Sequence, residues 1–187
     1  MSKHLDAFAD YMQNSWSRAE TETDTRRRAI LFNYNRHAAL EFSDRWQEIF
    51  TPEMTNPHPK YKVRLGSDEV QVFDGVGEVK GFYGALNESV VWLEDEQLFV
   101  NDYGLASFST FGQFIAGKDA AAAGYEVDDP EATYMLSCPL AMIWPYDENA
   151  KLIGEEVYEL APLQLSKPAP EDVFSFEERA EVLAKYL

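Results

Sequence analysis

A single cysteine, Cys138, is all the chain of 187 residues carries, so no internal disulfide can form and no C-x-x-C metal spacing exists. A reducing cytoplasm is the natural setting for such a chain. Three histidines, scattered along the sequence, make no metal set. Positive charge is also scarce: 16 Lys and Arg face 33 Asp and Glu, for a net charge of -17. Nucleic acid and anionic membrane surfaces both need basic patches, so neither is expected as a partner. The one basic cluster, Arg26-Arg27-Arg28, reads as the solvated face of a helix. No apolar run approaches the roughly 18 residues of a membrane span. The N-terminus lacks the basic-then-apolar order of a signal peptide. A Gly-rich phosphate loop with a following Lys, G-x-G-x-x-G, G-x-S-x-G and H-E-x-x-H are all missing. The consistent expectation is chemistry without a cofactor or metal.

What is present suits a packed domain. Hydrophobic residues make up 45% and aromatics 14%, enough for one globular unit over 1–187. Residues 3–18 place Leu5, Phe8, Tyr11, Met12 and Trp16 on a helical stripe. Thr23 or Asp24 caps a second helix through Phe42, with Tyr34 and Ala38 on its apolar side. A short helix from Asp44 to Phe50 stops at Thr51-Pro52. The period then changes to two. Strands are expected over Lys60–Leu65, Glu69–Phe73, Ser89–Glu94, Gln97–Tyr103, Leu105–Ile115, Thr133–Tyr146 and Lys151–Leu160. One helix, Gly77 to Leu86, interrupts them, and a closing helix spans Val173–Tyr186 after a proline-punctuated tail. The small and acidic residues of 116–132 show no periodicity and read as a surface loop or a lid. Helices first, then mostly strands, means α+β.

Two stretches carry a resemblance. RHAALEFSDRWQEIFTPEMTNPHP looks like the helix, small helix and first strand of the nuclear transport factor 2-like superfamily, in its SnoaL-like polyketide cyclase and ketosteroid isomerase branch. MIWPYDENAKLIGEEVYEL is similar to the closing hairpin of the same fold. The likeness covers about residues 25–160, leaving 3–18 as a helical extension and 161–187 as a tail and helix. It implies a cone-shaped, strongly curved antiparallel sheet wrapped around the N-terminal helices and enclosing a pocket. It also implies dimerisation through the open sheet face, for which the long aromatic strand Leu105–Ile115 is suited. Counted without gaps from Phe50, His58 falls where ketosteroid isomerases carry their general base, with Pro59 on the following proline. Tyr34 falls where they carry an enolate-stabilising tyrosine. Met142 falls where they have a protonated aspartic acid, a departure that points away from steroid isomerisation.

The candidate chemistry rests on these positions. His58 lies between Pro57 and Pro59, which restrict its backbone and hold the ring direction. An imidazole can take a proton near neutral pH, although a plugged turn explains the same residues. Tyr34 is either an oxyanion donor or a core tyrosine with its hydroxyl at a rim. His37 reads as the partner of Glu41 at i,i+4, or as a pocket residue beside Tyr34. Alternation sets Leu140, Met142 and Trp144 on one strand face, which the resemblance turns inward. Glu155, on the last strand, is costly to bury unless paired or protonated. It could orient His58, act as the acid itself, or sit on an exposed edge. Tyr61, Trp92 and Tyr103 complete an aromatic set suited to a flat ligand.

The sequence thus points to a cofactor-independent lyase, isomerase or cyclase. Its substrate would be a hydrophobic aromatic or polycyclic small molecule, with proton transfer at carbon by His58, Tyr34 and Glu155. Retro-aldol-like loss of formaldehyde from lignin-derived diaryl diols lies within that range. The alternative is a non-catalytic ligand-binding or protein-docking module of the same fold.

Overall fold

The computed structural model describes residues 2–86 and 89–187 of the chain. Helix α1, Lys3–Thr21, begins at Ser2, whose hydroxyl accepts from the Leu5 amide. Leu5, Phe8, Tyr11 and Met12 all turn inward from it, as their helical spacing requires. Helix α2, Thr25–Phe42, begins at Asp24, whose carboxylate accepts the Arg27 amide at 2.9 Å. The expected third helix is shorter and tighter, a 3-10 turn over Trp46–Ile49. Asp44 has a left-handed φ of 59° just before it, so the chain breaks after α2 instead of running on as helix.

Seven strands follow: β1 (Thr55–Arg64), β2 (Gln71–Asp74), β3 (Val91–Asn101), β4 (Gly104–Ala116), β5 (Thr133–Pro145), β6 (Leu152–Glu159) and β7 (Gln164–Ser166). They form one open sheet in the order β2-β1-β6-β5-β4-β3, with β7 paired to β5. Helix α3, Val76–Leu86, lies between β2 and β3. The fold is α+β, with the N-terminal helices packed on the sheet. One pair departs from the antiparallel expectation: β1 runs parallel to β6, with Tyr61 opposite Glu155.

Four local expectations change. The strands foreseen at Ser89–Glu94 and Gln97–Tyr103 are a single β3, because a register shift between Glu94 and Gln97 lets the strand bend without ending. Asp95 takes φ 58° at that bend. The segment 116–132 is not wholly irregular: Gly117–Ala122 forms a short helix, α4. The tail contributes β7, and the closing helix is α5, Phe176–Leu183, preceded by a 3-10 turn at Pro170–Asp172. Ser175 and Glu178 close a capping box at its start, which moves the helix start three residues on from Val173.

The tail is tied to the N-terminus. Lys3 Nζ meets Asp172 at 2.6 Å, and the Ser2 hydroxyl donates to the Asp172 carbonyl at 2.6 Å. Arg179 is buried, donates to the Val91 carbonyl and stacks on Phe42 and Phe176. No described helix is long and apolar enough to cross a membrane.

Trp92 sits at the joint of these layers. Its ring packs on Phe114 and Phe174 at 4.6 and 5.2 Å, and its Nε1 donates to Glu94 at 3.2 Å. The indole lies over Gly112 on β4, where a Cβ would stand 2.2 Å from the ring. Gly112→Ala should therefore overpack this joint and cost about 2–3 kcal/mol, read as a lower urea midpoint with unchanged slope.

Candidate functional site

The site begins with period two on β5. Leu140, Met142 and Trp144 are buried while Pro139 and Ile143 are exposed. The same alternation on β6 turns Glu155 and Val157 inward beside them. Across from this wall, α2 presents Tyr34, Ala38 and Glu41, spaced i, i+4, i+7 and so on one helix face. Between wall and helix lies a cavity of about 310 Å³. Tyr11, Phe42, Phe82, Leu93 and Phe111 complete much of its apolar lining. Among the described residues its charged lining comes from Glu41 and Glu155, with no lysine, arginine or histidine.

Trp144 locks the helix to the wall. Tyr34 and His37 both meet its indole edge-on, at ring distances of 5.1 and 4.8 Å. Such edge-to-face pairs add about 0.5–1.5 kcal/mol each beyond the area they bury. The Trp144 Nε1 is buried and has no hydrogen-bond partner, which leaves an unused donor among the lining residues.

Glu155 is 7% exposed and its Oε2 has no partner. Burial pushes its carboxyl well above the ordinary range, and the charge of Glu41 adds to the rise. Both causes favour its protonated form in the free protein. Glu41 is better supported, because its Oε2 lies 3.3 Å from the Nε2 of His37. The same Nε2 is 2.9 Å from the Tyr83 hydroxyl, which reaches the Tyr61 hydroxyl at 3.4 Å. This buried chain runs from β1 to α2 and holds the Glu41 carboxylate from behind. Burial raises both tyrosine hydroxyls, so they remain neutral, with Tyr83 donating to Tyr61.

A second polar chain leaves the cavity on the other side. Tyr34 donates to Glu96 at 2.5 Å, and its oxygen is 3.1 Å from that of Tyr11. Tyr11 lines the cavity and also an outer cleft, where Glu96 lies beside Asp10, Arg18 and Asp95. Burial lifts the Glu96 carboxyl to about 7, against an ordinary 4.5, while the bond from Tyr34 pulls it down.

The residues expected from sequence divide clearly. Tyr34, Met142, Trp144 and Glu155 line the cavity together. His37 and Tyr61 are fully buried behind that lining, where His37 meets Glu41, Tyr83 and the Trp144 indole and Tyr61 meets Tyr83. His58 is not brought to the cavity. It is exposed, in the stretch of β1 where pairing with β6 shifts between Thr55 and Lys60. Its amide donates to Asn56 Oδ1 at 3.1 Å, so N-P-H-P is a side-chain-closed turn within the strand. Without regular pairing there, alternation no longer carries position 58 to the inner face. Trp92 is core at the α1–β3–β4 joint and does not line the cavity. Tyr103, 84% exposed, is in the tight β3–β4 turn where no inner face exists. Helical spacing from Tyr34 was the signal for Glu41. Glu96 had no such signal, since it falls at the irregular register of β3.

Among the described residues no group of three or more His, Cys, Asp or Glu is placed to hold a metal ion. The Cys138 thiol is pushed up to about 11 by burial, and then by the charge of Glu159, so it is a protonated core group.

No protein-family model matches the chain, and no curated protein matches it. Among solved structures it is similar to a protein from Jannaschia sp. CCS1 described as a SnoaL-like polyketide cyclase. The sequences are 13% identical, the TM-score is 0.49, and the match covers 74% of this chain and 90% of the other.

The Glu96 carboxyl carries a pH dependence. Its folded value near 7 exceeds its unfolded value near 4.5, so the folded form holds the extra proton and stability falls as pH rises across that window. The full cost above pH 7 is about 3 kcal/mol. Glu96→Gln should match wild type near pH 4.5 and exceed it by up to that amount at pH 8, measured by urea unfolding at both pH values.

Proposed function

We propose that this chain is an acid–base enzyme, without a cofactor, that moves protons at carbon within a hydrophobic small molecule held in the cavity. The observation that carries this reading is Glu155. It is a buried carboxyl without a partner, set in an apolar wall beside an unused indole donor. A carboxyl raised by its surroundings is matched to proton transfer near neutral pH. In this reading Glu155 acts as the acid itself, and His58, exposed outside the cavity, has no part in the proton transfer. Trp144 Nε1 supplies a donor for charge developing on a substrate oxygen. The aromatic lining suits an aromatic or polycyclic body, and lyase, isomerase or cyclase chemistry all need this same pair of functions. Formaldehyde loss from diaryl diols belongs to that set, because the carboxyl can exchange protons with both the departing hydroxymethyl group and the carbon it leaves.

The test is turnover of steroid enones, polyketide-like aromatics and lignin-derived diaryl diols, with formaldehyde release assayed in the last. Glu155→Gln should lower turnover at least about hundredfold while leaving the fold intact. His58→Ala should leave it unchanged. Full activity in Glu155→Gln sinks the assignment, and tight binding without turnover makes the cavity a passive ligand cup.

The outer face of the sheet is proposed as a homodimer surface. Phe99, Phe108 and Ile143 are each about half exposed there, around Ala106 and Ala141 in the strand register. That apolar strip is interrupted by no described charge on β4. Sedimentation should show a dimer across the micromolar range and a monomer for Phe108→Glu; a monomeric wild type removes the proposal.

A further inference from the structure

The charge of the cavity lining narrows the class of ligand. Glu41 and Glu155 are both acceptors when ionised, and among the described residues no cationic side chain lines the cavity with them. Glu41 has compensation from behind, through His37 Nε2 at 3.3 Å and through the charge of Arg179 on the far side of Phe42. Glu155 has none, and its Oε2 is left without a partner in a wall of Leu140, Met142 and Val157. An uncompensated buried carboxyl beside a second one is a costly arrangement that a well-packed apolar residue would relieve. A neutral ligand brings neither carboxyl a countercharge, so Glu155 could ionise only against the charge of Glu41. A ligand with a positive charge supplies one, and the aromatic faces of Tyr11, Tyr34, Phe82 and Phe111 suit both a cation and its apolar body. The exterior, at net -17, concentrates cations around the molecule.

We propose that the ligand of this cavity carries a protonated amine on an aromatic or alicyclic body, and that the ammonium is received between the carboxylates of Glu41 and Glu155. This rests on the reading of the cavity as a small-molecule site and names its substrate class. Binding is also linked to the chemistry. Burial and the charge of Glu41 favour the protonated form of Glu155, and that proton is lost to solvent as the ammonium arrives, since the new charge offsets that of Glu41 and stabilises the carboxylate. The balance is one ammonium in and one proton out, with no bond to carbon made or broken. Glu155 is then a carboxylate, able to take a proton, only when the correct ligand is present. The other groups facing Glu155 are the hydroxyls of Tyr11, Tyr61, Tyr83 and Tyr146, all raised by burial and neutral, so none of them supplies the missing charge.

The experiment is isothermal titration calorimetry with a matched pair of probes, naphthylethylamine and naphthylethanol, run at pH 7 in buffers of different ionisation enthalpy. The amine should bind about tenfold tighter or more than the alcohol, and release about one proton per site where the alcohol releases none. Glu155→Gln should abolish the proton release and most of the preference while keeping the affinity for the alcohol, which shows that the cavity still forms. Glu41→Gln should weaken the amine and spare the alcohol. Equal binding of the two probes, or amine binding without proton release, overturns the inference and leaves the acid–base reading standing. Amine preference without turnover of any amine-bearing substrate supports the inference and sinks the enzyme. Binding of neither probe overturns both.

Discussion

The edge-on contact of Trp144 with Tyr34 and His37 is the joint on which the site depends. It fixes the distance and rotation of α2 against β5, and every polar group of the cavity is placed by one or the other. On the helix side, the rotation that puts Tyr34 against the indole also puts Glu41 into the cavity two turns later. On the strand side, the alternation that buries Trp144 brings Met142 and Leu140 inward, and β6 follows in register with Glu155. Because rings pack in few arrangements, this geometry is defined by sterics, with the charges fitted into what remains.

Those charges divide into two chains with opposite support. Behind the cavity, a buried chain of Tyr61, Tyr83 and His37 backs Glu41, so its carboxylate is positioned before any ligand arrives. Glu155 has no such backing. The contrast matters because a backed carboxylate is held in place, whereas an unpartnered buried one responds to what enters. The third carboxyl, Glu96, works at the boundary with the outer cleft and keeps the Tyr34 hydroxyl engaged. Together the three make a site whose electrostatics depend on protonation at several points, while its walls are ordinary apolar packing.

The rest of the chain supports this joint from the periphery. The tail returns to α1 through Asp172, Lys3 and Ser2, and Arg179 crosses over Phe42 to the β3 backbone. These contacts brace the end of α2 that carries Glu41. A buried guanidinium there is costly, and burial lowers its value to about 10, yet it remains charged and faces Glu41 from outside the cavity.

Much of this was determined by the sequence itself. Helical and strand periods in the chain specify α1, α2 and β5, because an apolar stripe has one way to be buried. Alternation puts Leu140, Met142 and Trp144 on one face of β5, and the helix stripe holds Tyr34, while the inward turn of Glu155 stayed open in the sequence. What tertiary structure alone decided is which polar residues meet. His58 is locally constrained by its prolines, but a register break in β1 leaves it outside, and no local pattern announces such a break. The parallel pairing of β1 with β6 brings Tyr61 opposite Glu155 across some ninety residues, a contact set by how the sheet assembles. The isolation of Glu155 is likewise global, because a missing partner is a property of every element around it.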